Sequence, residues 1–287
     1  MPELRLLGTV ELLVEAGEPV DLGPPKQRCV LAVLAMSSGH PVTVEALIDC
    51  VWGRQPPESV RDIVYTYVSR LRRILRQAGT PDALRRGDGR YLLDLAPDVV
   101  DLHRSRMLAR RAREEREQAA ELLRAATGLW RGTPLAGLRG DWPARVQAGL
   151  VREHVTLLGR RFDAELELGR HAEVVEELSD AVVEHPLAEP LAARLMLALY
   201  RSGRRAEALA TYDSTRHQLV EAIGEDPGPS LRKLHHHILR QDPGLDHQCA
   251  SLPRPAAARP CPLAQLPPDA SVFTGPARWP DRRCAGC

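Results

Sequence analysis

Arginine recurs along one face of the segment Arg61 to Arg76, R-D-I-V-Y-T-Y-V-S-R-L-R-R-I-L-R. On a helix, Arg61, Asp62, Tyr65, Thr66, Ser69, Arg70, Arg73 and Arg76 fall opposite an apolar stripe of Val64, Tyr67, Val68, Leu71, Ile74 and Leu75. Guanidinium, hydroxyl and phenol groups above a core-forming stripe have the chemistry of a helix that reads a DNA major groove. The competing reading is a solvated charged face on an ordinary helix. The neighbouring segments decide between them.

Charge placement is the first test. The chain has 287 residues and a net charge of +1, so global charge implies no polyanionic partner. Between Arg54 and Leu92, however, nine arginines (54, 61, 70, 72, 73, 76, 85, 86 and 90) face only Glu58, Asp62, Asp82 and Asp88, a local excess of +5. Such a basic patch is the electrostatic footprint expected for nucleic acid.

The elements around the arginine-rich segment are the second test. Short, partly alternating apolar runs through Leu4, Leu6, Val10, Leu12, Val14, Val20 and Leu22 predict two or three strands in a small antiparallel sheet. Pro24-Pro25 opens a helix to about Ser37. Thr43 caps a second helix, Val44 to Trp52, which Gly53 ends. Ser59 and Asp62 are spaced as a capping box for the third helix. Leu84 to Leu95 then carries Asp88-Gly89, whose positive-φ preference predicts a tight hairpin with Arg85, Arg86 and Arg90 beside its tip. The order strands, helix, helix, helix, hairpin is that of a winged helix-turn-helix over residues 1–97. Its third helix enters the major groove and its wing reaches the flanking backbone or the minor groove.

The rest reads as all-α. From Asp101 the apolar stripes are helical, and Trp142-Pro143 begins a long helix to about Leu168. Gly169-Arg170-His171-Ala172-Glu173 recurs 34 residues later as Gly203-Arg204-Arg205-Ala206-Glu207, the period of a tetratricopeptide repeat. Each glycine is expected to end a helix, and Ala172 and Ala206 to permit close helix contact. Further helices are expected around 172–184, 187–201, 205–222 and 229–240. The fold class is thus mainly α with small β elements: a winged helix (1–97), a tetratricopeptide-like helical domain (98–244) and a Pro-rich, disordered tail (245–287).

The runs L-G-P-P-K-Q-R (Leu22 to Arg28), L-I-D-C-V-W-G (Leu47 to Gly53), P-P-E-S (Pro56 to Ser59) and T-Y-V-S-R-L-R-R-I-L (Thr66 to Leu75) resemble the Streptomyces antibiotic regulatory protein family, whose first domain is an OmpR-type winged helix. The resemblance continues through V-D-L-H (Val100 to His103), L-W-R-G (Leu129 to Gly132), L-G-R-H-A-E (Leu168 to Glu173) and D-P-G-P-S-L (Asp226 to Leu231), in the manner of the bacterial transcriptional activator domain. It implies an activator of secondary-metabolite (antibiotic) genes. Such proteins bind direct repeats in double-stranded DNA as dimers and recruit RNA polymerase. Carried over by position, Arg61, Tyr65, Thr66, Ser69, Arg70 and Arg73 face the groove. Lys26, Arg28 and Trp52 touch the sugar-phosphate backbone, and Arg86 and Arg90 serve the wing. Asp62 and Tyr65 depart from the family pattern, where Asn and a smaller polar residue are expected. Asp62 is tolerable near DNA if it pairs with Arg61 or accepts from a cytosine amino group.

Other chemistries are weaker. No glycine-lysine step makes a phosphate loop, since Lys26 follows proline and Lys233 follows arginine, so an NTPase is not expected. His235-His236-His237 diverge by about 100° per residue on a helix and cannot converge on one ion. Cys284 and Cys287 are one lone pair at a terminus, and no metal or other cofactor is expected. No catalytic constellation is present. Cys29 and Cys50 read as free thiols in helices. With no leader sequence and no apolar run near the roughly 18 residues of a membrane helix, a cytoplasmic, nucleoid-associated protein without membrane contact is expected. The fragment Q-L-P-P-D-A-S-V-F-T-G (Gln265 to Gly275) resembles the lead-in to an ATP-binding domain in larger family members, and reads as the remnant of a lost NTPase module. The alternative to a DNA-binding activator is a repeat-type adaptor that binds a protein partner and keeps its winged helix as structure only.

Overall fold

The computed structural model describes residues 2–14 and 17–246. The expected tail lies outside them from residue 247 on, and so do its four cysteines. Leu245 closes a short 3-10 turn, Pro243–Leu245, and its carbonyl accepts from Arg201 Nε at 2.8 Å.

The alternating apolar residues near the N-terminus form a three-stranded antiparallel sheet, β1 (Glu3–Arg5), β2 (Glu11–Leu13) and β3 (Pro19–Val20). Leu4 stands opposite Leu12, and Leu12 opposite Val20. Helix α1 (Pro25–Met36) starts on proline, as a helix whose first N–H groups have no intrahelical partner can. A short strand β4 (Val42–Thr43) leads directly into α2 (Val44–Trp52). There Thr43 Oγ1 accepts from the Ala46 N–H at 3.1 Å, and Gly53, with φ of 63°, ends the helix. Helix α3 (Val60–Gln77) is followed by the hairpin β5 (Leu84–Gly87) and β6 (Arg90–Leu93). Asp88 and Gly89 both have positive φ, 46° and 70°, which is the tight turn their identities predict.

Two local expectations change. Strand β4 is not among the expected elements; it pairs Val42 with Tyr91 and Thr43 with Arg90, making a sheet of order β4-β6-β5. Two residues are too few to show alternation. The capping box at Ser59 does not form, because its side chain caps nothing. Ser59 has φ of −86° and ψ of 18°, outside the extended region that a capping residue adopts.

The helical half comprises α4 (Asp101–Glu114), α5 (Ala119–Thr127), α6 (Asp141–Glu167), α7 (Val175–Glu184), α8 (Glu189–Arg201), α9 (Arg205–Ile223) and α10 (Pro229–Arg240). Gly169 and Gly203 follow helix ends with φ of 79° and 78°. The next N–H groups, of Arg170 and Arg204, reach back to Glu165 and Leu199 at 3.1 and 2.8 Å, closing both helices in the Schellman manner. Helix α7 begins three residues after the expected 172, because His171 to Val174 are turn. Ala172 and Ala206 are exposed, so neither makes the close contact expected of it. The small residues that do are Ala192, Ala198 and Ala208 on α8 and α9, all essentially buried.

One hydrophobic cluster runs from the N-terminal sheet through α1 to α3 and the hairpin to Val99, Val100, Leu102, Leu135, Leu138 and Leu150. It therefore passes through the junction at residues 97 and 98. Backbone bonds follow it across. The Leu4 N–H donates to the Val99 carbonyl at 2.8 Å, Arg131 N–H to Leu7 at 2.8 Å, and Leu135 N–H to Leu6 at 2.9 Å. Asp101 is fully buried at this seam. Its carboxylate accepts from the Leu6 and Leu7 N–H groups at 2.8 and 3.0 Å and pairs with Arg131 Nη2 at 2.6 Å. Residues 1–247 accordingly form one unit. A second cluster, centred on Phe162, Leu178, Leu191, Met196 and Leu231, holds α6 to α10 together.

Candidate nucleic-acid interface

Helix α3 is oriented by what it buries. Val64, Val68, Leu71 and Leu75 are at most 1% exposed. Each such side chain contributes about 1.5–3 kcal/mol relative to an exposed one, so rotating the helix about its axis is costly. Arg61, Thr66, Ser69, Arg70, Arg73 and Arg76 are thereby fixed on the solvent side.

The charges on that face are not equivalent. Arg61 is held at 2.7 Å by Glu45 of α2, not by its neighbour Asp62. The Thr66 hydroxyl donates to the Asp62 backbone carbonyl at 2.9 Å. Ser69, Arg70, Arg73 and Arg76 line one cleft with Arg72. Arg72 is a strut: its Nε donates to the Leu84 carbonyl at 2.9 Å and its guanidinium lies 5.9 Å from the centre of the Tyr91 ring. Among the described residues, Arg70, Arg73 and Arg76 have no ion-pair partner.

The wing extends this basic surface. Arg86 and Arg90 line a second cleft beside the Asp88-Gly89 turn, whereas Arg85 pairs with Asp94 at 3.3 Å. Tyr65 joins wing to helix: the Arg86 guanidinium sits 4.9 Å above its ring centre. A cation over an aromatic face is attracted by the ring quadrupole and keeps its charge.

Lys26 and Trp52 stand together. Lys26 Nζ is 4.9 Å above the Trp52 ring, which in turn lies parallel to Tyr67 of α3 at 6.3 Å. Arg28 is separate from this pair, half-buried, with Nε donating to the Gly23 carbonyl at 3.0 Å. Cys29 beside it is buried, and burial pushes its thiol pKa up to about 12, so it is neither a nucleophile nor a ligand at neutral pH. Of the residues expected at DNA, the structure thus brings together Tyr65, Ser69, Arg70, Arg73, Arg86 and Arg90 around α3 and the wing. Sequence reasoning did not single out Arg76 as a site residue, although its step of three from Arg73 carries that signal. Glu45 as the partner of Arg61 had no local signal.

The first half of this fold, residues 17–89, matches the family described as transcriptional regulatory protein, C terminal; residues 98–239 match the bacterial transcriptional activator domain. Regulatory protein DnrI of Streptomyces peucetius is 36% identical over 81% of this chain and 90% of its own length. The chain belongs to the Streptomyces antibiotic regulatory protein family of transcriptional activators. Another relative, regulatory protein AfsR of Streptomyces coelicolor, is 42% identical over 92% of this chain. This chain spans only 27% of AfsR, about a quarter of that protein. Among solved structures, Mycobacterium tuberculosis EmbR in complex with a low affinity phosphopeptide superposes with a TM-score of 0.75, at 36% identity over 84% of this chain and 66% of EmbR. The arrangement of winged helix and helical domain is therefore shared with that regulator. Within the described residues no helix is long and apolar enough to cross a membrane.

Proposed function

We propose that this family member is a sequence-specific DNA-binding activator that inserts α3 into the major groove and lays the β5–β6 wing on the flanking backbone. The observation that carries this is the row Arg70, Arg73 and Arg76, exposed and without ion pairs among the described residues, continued on the wing by Arg86 and Arg90. Arginine forks match guanine edges and phosphate oxygens, and each good base contact is worth about 1–3 kcal/mol of discrimination. Two protomers would occupy direct repeats near promoters of secondary-metabolite genes, and the helical half would supply the dimer contact and the surface for RNA polymerase. The named relatives and the two matched domains support this reading. The groove-facing set is Arg61, Tyr65, Thr66, Ser69, Arg70 and Arg73, with Lys26, Arg28 and Trp52 on the sugar-phosphate backbone. Arg61 reaches DNA only after leaving Glu45.

The test is anisotropy titration of the full chain on a promoter fragment bearing direct repeats, over a range of salt. Arg70→Ala with Arg73→Ala is expected to weaken specific binding by at least about 2 kcal/mol and to flatten the salt slope by roughly one for each phosphate no longer neutralised. Arg232→Ala, on the exposed face of α10, is expected to leave both unchanged. Specific binding that survives the double substitution overturns the assignment of α3.

A further inference from the structure

An open cavity of about 930 Å³ lies where the winged helix meets the helical half. Its walls are the turn after α1, the segment Asp94 to Pro97 after β6, the helix α4 and the middle of α6. Leu95, Pro97, Ala109 and Leu157 make part of it apolar. Ligand sites of this size combine an apolar lining with a few convergent polar groups.

Here the polar groups are arginines: Arg106, Arg110 and Arg113 from α4, Arg152 and Arg160 from α6. Steps of four, three and eight put each set on one helix face. Only Asp94 and Glu153 line the cavity as carboxylates, and both already have partners. Asp94 pairs with Arg85 at 3.3 Å, and Glu153 accepts a fork from Arg106 with both bonds at 2.7 Å. Among the described residues, Arg110, Arg113, Arg152 and Arg160 have no ion-pair partner. Arg160 donates from Nη2 to the Ala109 carbonyl at 2.9 Å. Burial, with Arg113 nearby, holds its guanidinium below the usual pKa. Converging like charges beside an apolar wall call for an anion.

We propose that this cavity binds an amphipathic organic anion, a small molecule with an apolar body and a phosphate or carboxylate group. The four arginines without ion pairs take the anionic group by charge-assisted hydrogen bonds. The apolar body lies against Leu95, Pro97 and Leu157. Because the walls come from both halves, occupancy stabilises the halves together. The site does not depend on the DNA-binding assignment, so it can fail or stand independently of it.

Calorimetric titration of the full chain with 1-naphthyl phosphate, 1-naphthoate and neutral 1-naphthol tests the proposal. The three share one apolar body. At least one anion is expected to bind one-to-one, about tenfold or more tighter than 1-naphthol. The stronger of the two anions identifies the headgroup. Arg113→Glu with Arg152→Glu, both exposed in the free chain, is expected to weaken that anion by at least about tenfold. The milder Arg113→Gln should weaken it less, and Arg232→Glu on α10 should leave it unchanged. Equal binding of naphthol and both anions, wild-type affinity in the folded double variant, or no binding of either anion up to millimolar concentration overturns the proposal.

Discussion

Tyr65 looks in the sequence like a substitution that changes which base α3 reads. In the fold its ring face is covered by Arg86 of the wing, at 4.9 Å, so it ties α3 to the hairpin. That pairing joins residues far apart in sequence on two elements, and no local pattern announces it. A double-mutant cycle of Tyr65→Ala and Arg86→Ala is expected to give a coupling of about 0.5–1 kcal/mol in denaturant unfolding, with Tyr65→Phe retaining it. His154 is the other single residue with a measurable signature. It stacks on Trp130 at 4.3 Å and meets His185 edge-on at 5.9 Å. Burial, and then the neighbouring His185, lower its pKa to about 4. The folded state therefore resists protonation more than the unfolded chain does, whose histidine titrates near 6.5. Its stabilising contribution is complete above that value and is lost as pH falls towards about 4. His154→Phe keeps the stack and should flatten the fall of Tm across that window; an unchanged slope would assign the acid sensitivity elsewhere.

At the scale of elements, periodicity and turn chemistry were informative. The stripe Val64, Val68, Leu71 and Leu75 fixed both the existence of α3 and its exposed face. Asp88-Gly89 located the hairpin because only a few residues tolerate positive φ. Gly169 and Gly203 marked helix ends for the same reason. What failed were features decided beyond the local pattern: β4 exists because β6 lies beside it, and Ser59, with φ of −86° and ψ of 18°, is not in the extended conformation from which a side chain caps. Ala172 and Ala206 sit at equivalent repeat positions, yet both face solvent. The hairpin yields a direct prediction. Gly89 has φ of 70°, a region that a β-branched side chain enters at a cost of roughly 1–2 kcal/mol. Gly89→Val is expected to lower stability by that amount, read in denaturant unfolding, and to speed amide exchange in β5 and β6.

For the whole molecule, the decisive group is Asp101. It has no exposure and three partners from segments distant in sequence, the Leu6 and Leu7 N–H groups and the charged Arg131. Leu6 and Leu7 lie more than ninety residues before it, at separations of 95 and 94. Composition gave no sign of this, since a lone aspartate at a helix start reads as a first-turn acid and nothing more. Removing it leaves three N–H groups, of Leu6, Leu7 and Leu102, and a guanidinium without their acceptor. Asp101→Ala is expected to cost about 3–5 kcal/mol. Both halves share one cluster here, so the destabilisation should appear in a single cooperative transition in calorimetry. Two separate transitions, with only one shifted, would show that the seam does not couple them.

The segment Arg131 to Ala136 has a consequence for how such regulators can be recombined. Its backbone bonds to Leu6, Leu7 and Gly8 just after β1, while Val99 and Val100 lie along the outer edge of β1 at Leu4. An uncovered edge is a template for pairing with another chain. A DNA reader excised at residue 97 therefore leaves behind its own lid and also the apolar seam at Val99, Leu102, Leu135 and Leu138. The smallest portable reader in this architecture is not the winged helix alone. It extends into α6, at least as far as Leu150, where the shared cluster ends. Chimeras that exchange operator preference between relatives should be joined there, inside what sequence boundaries assign to the activator.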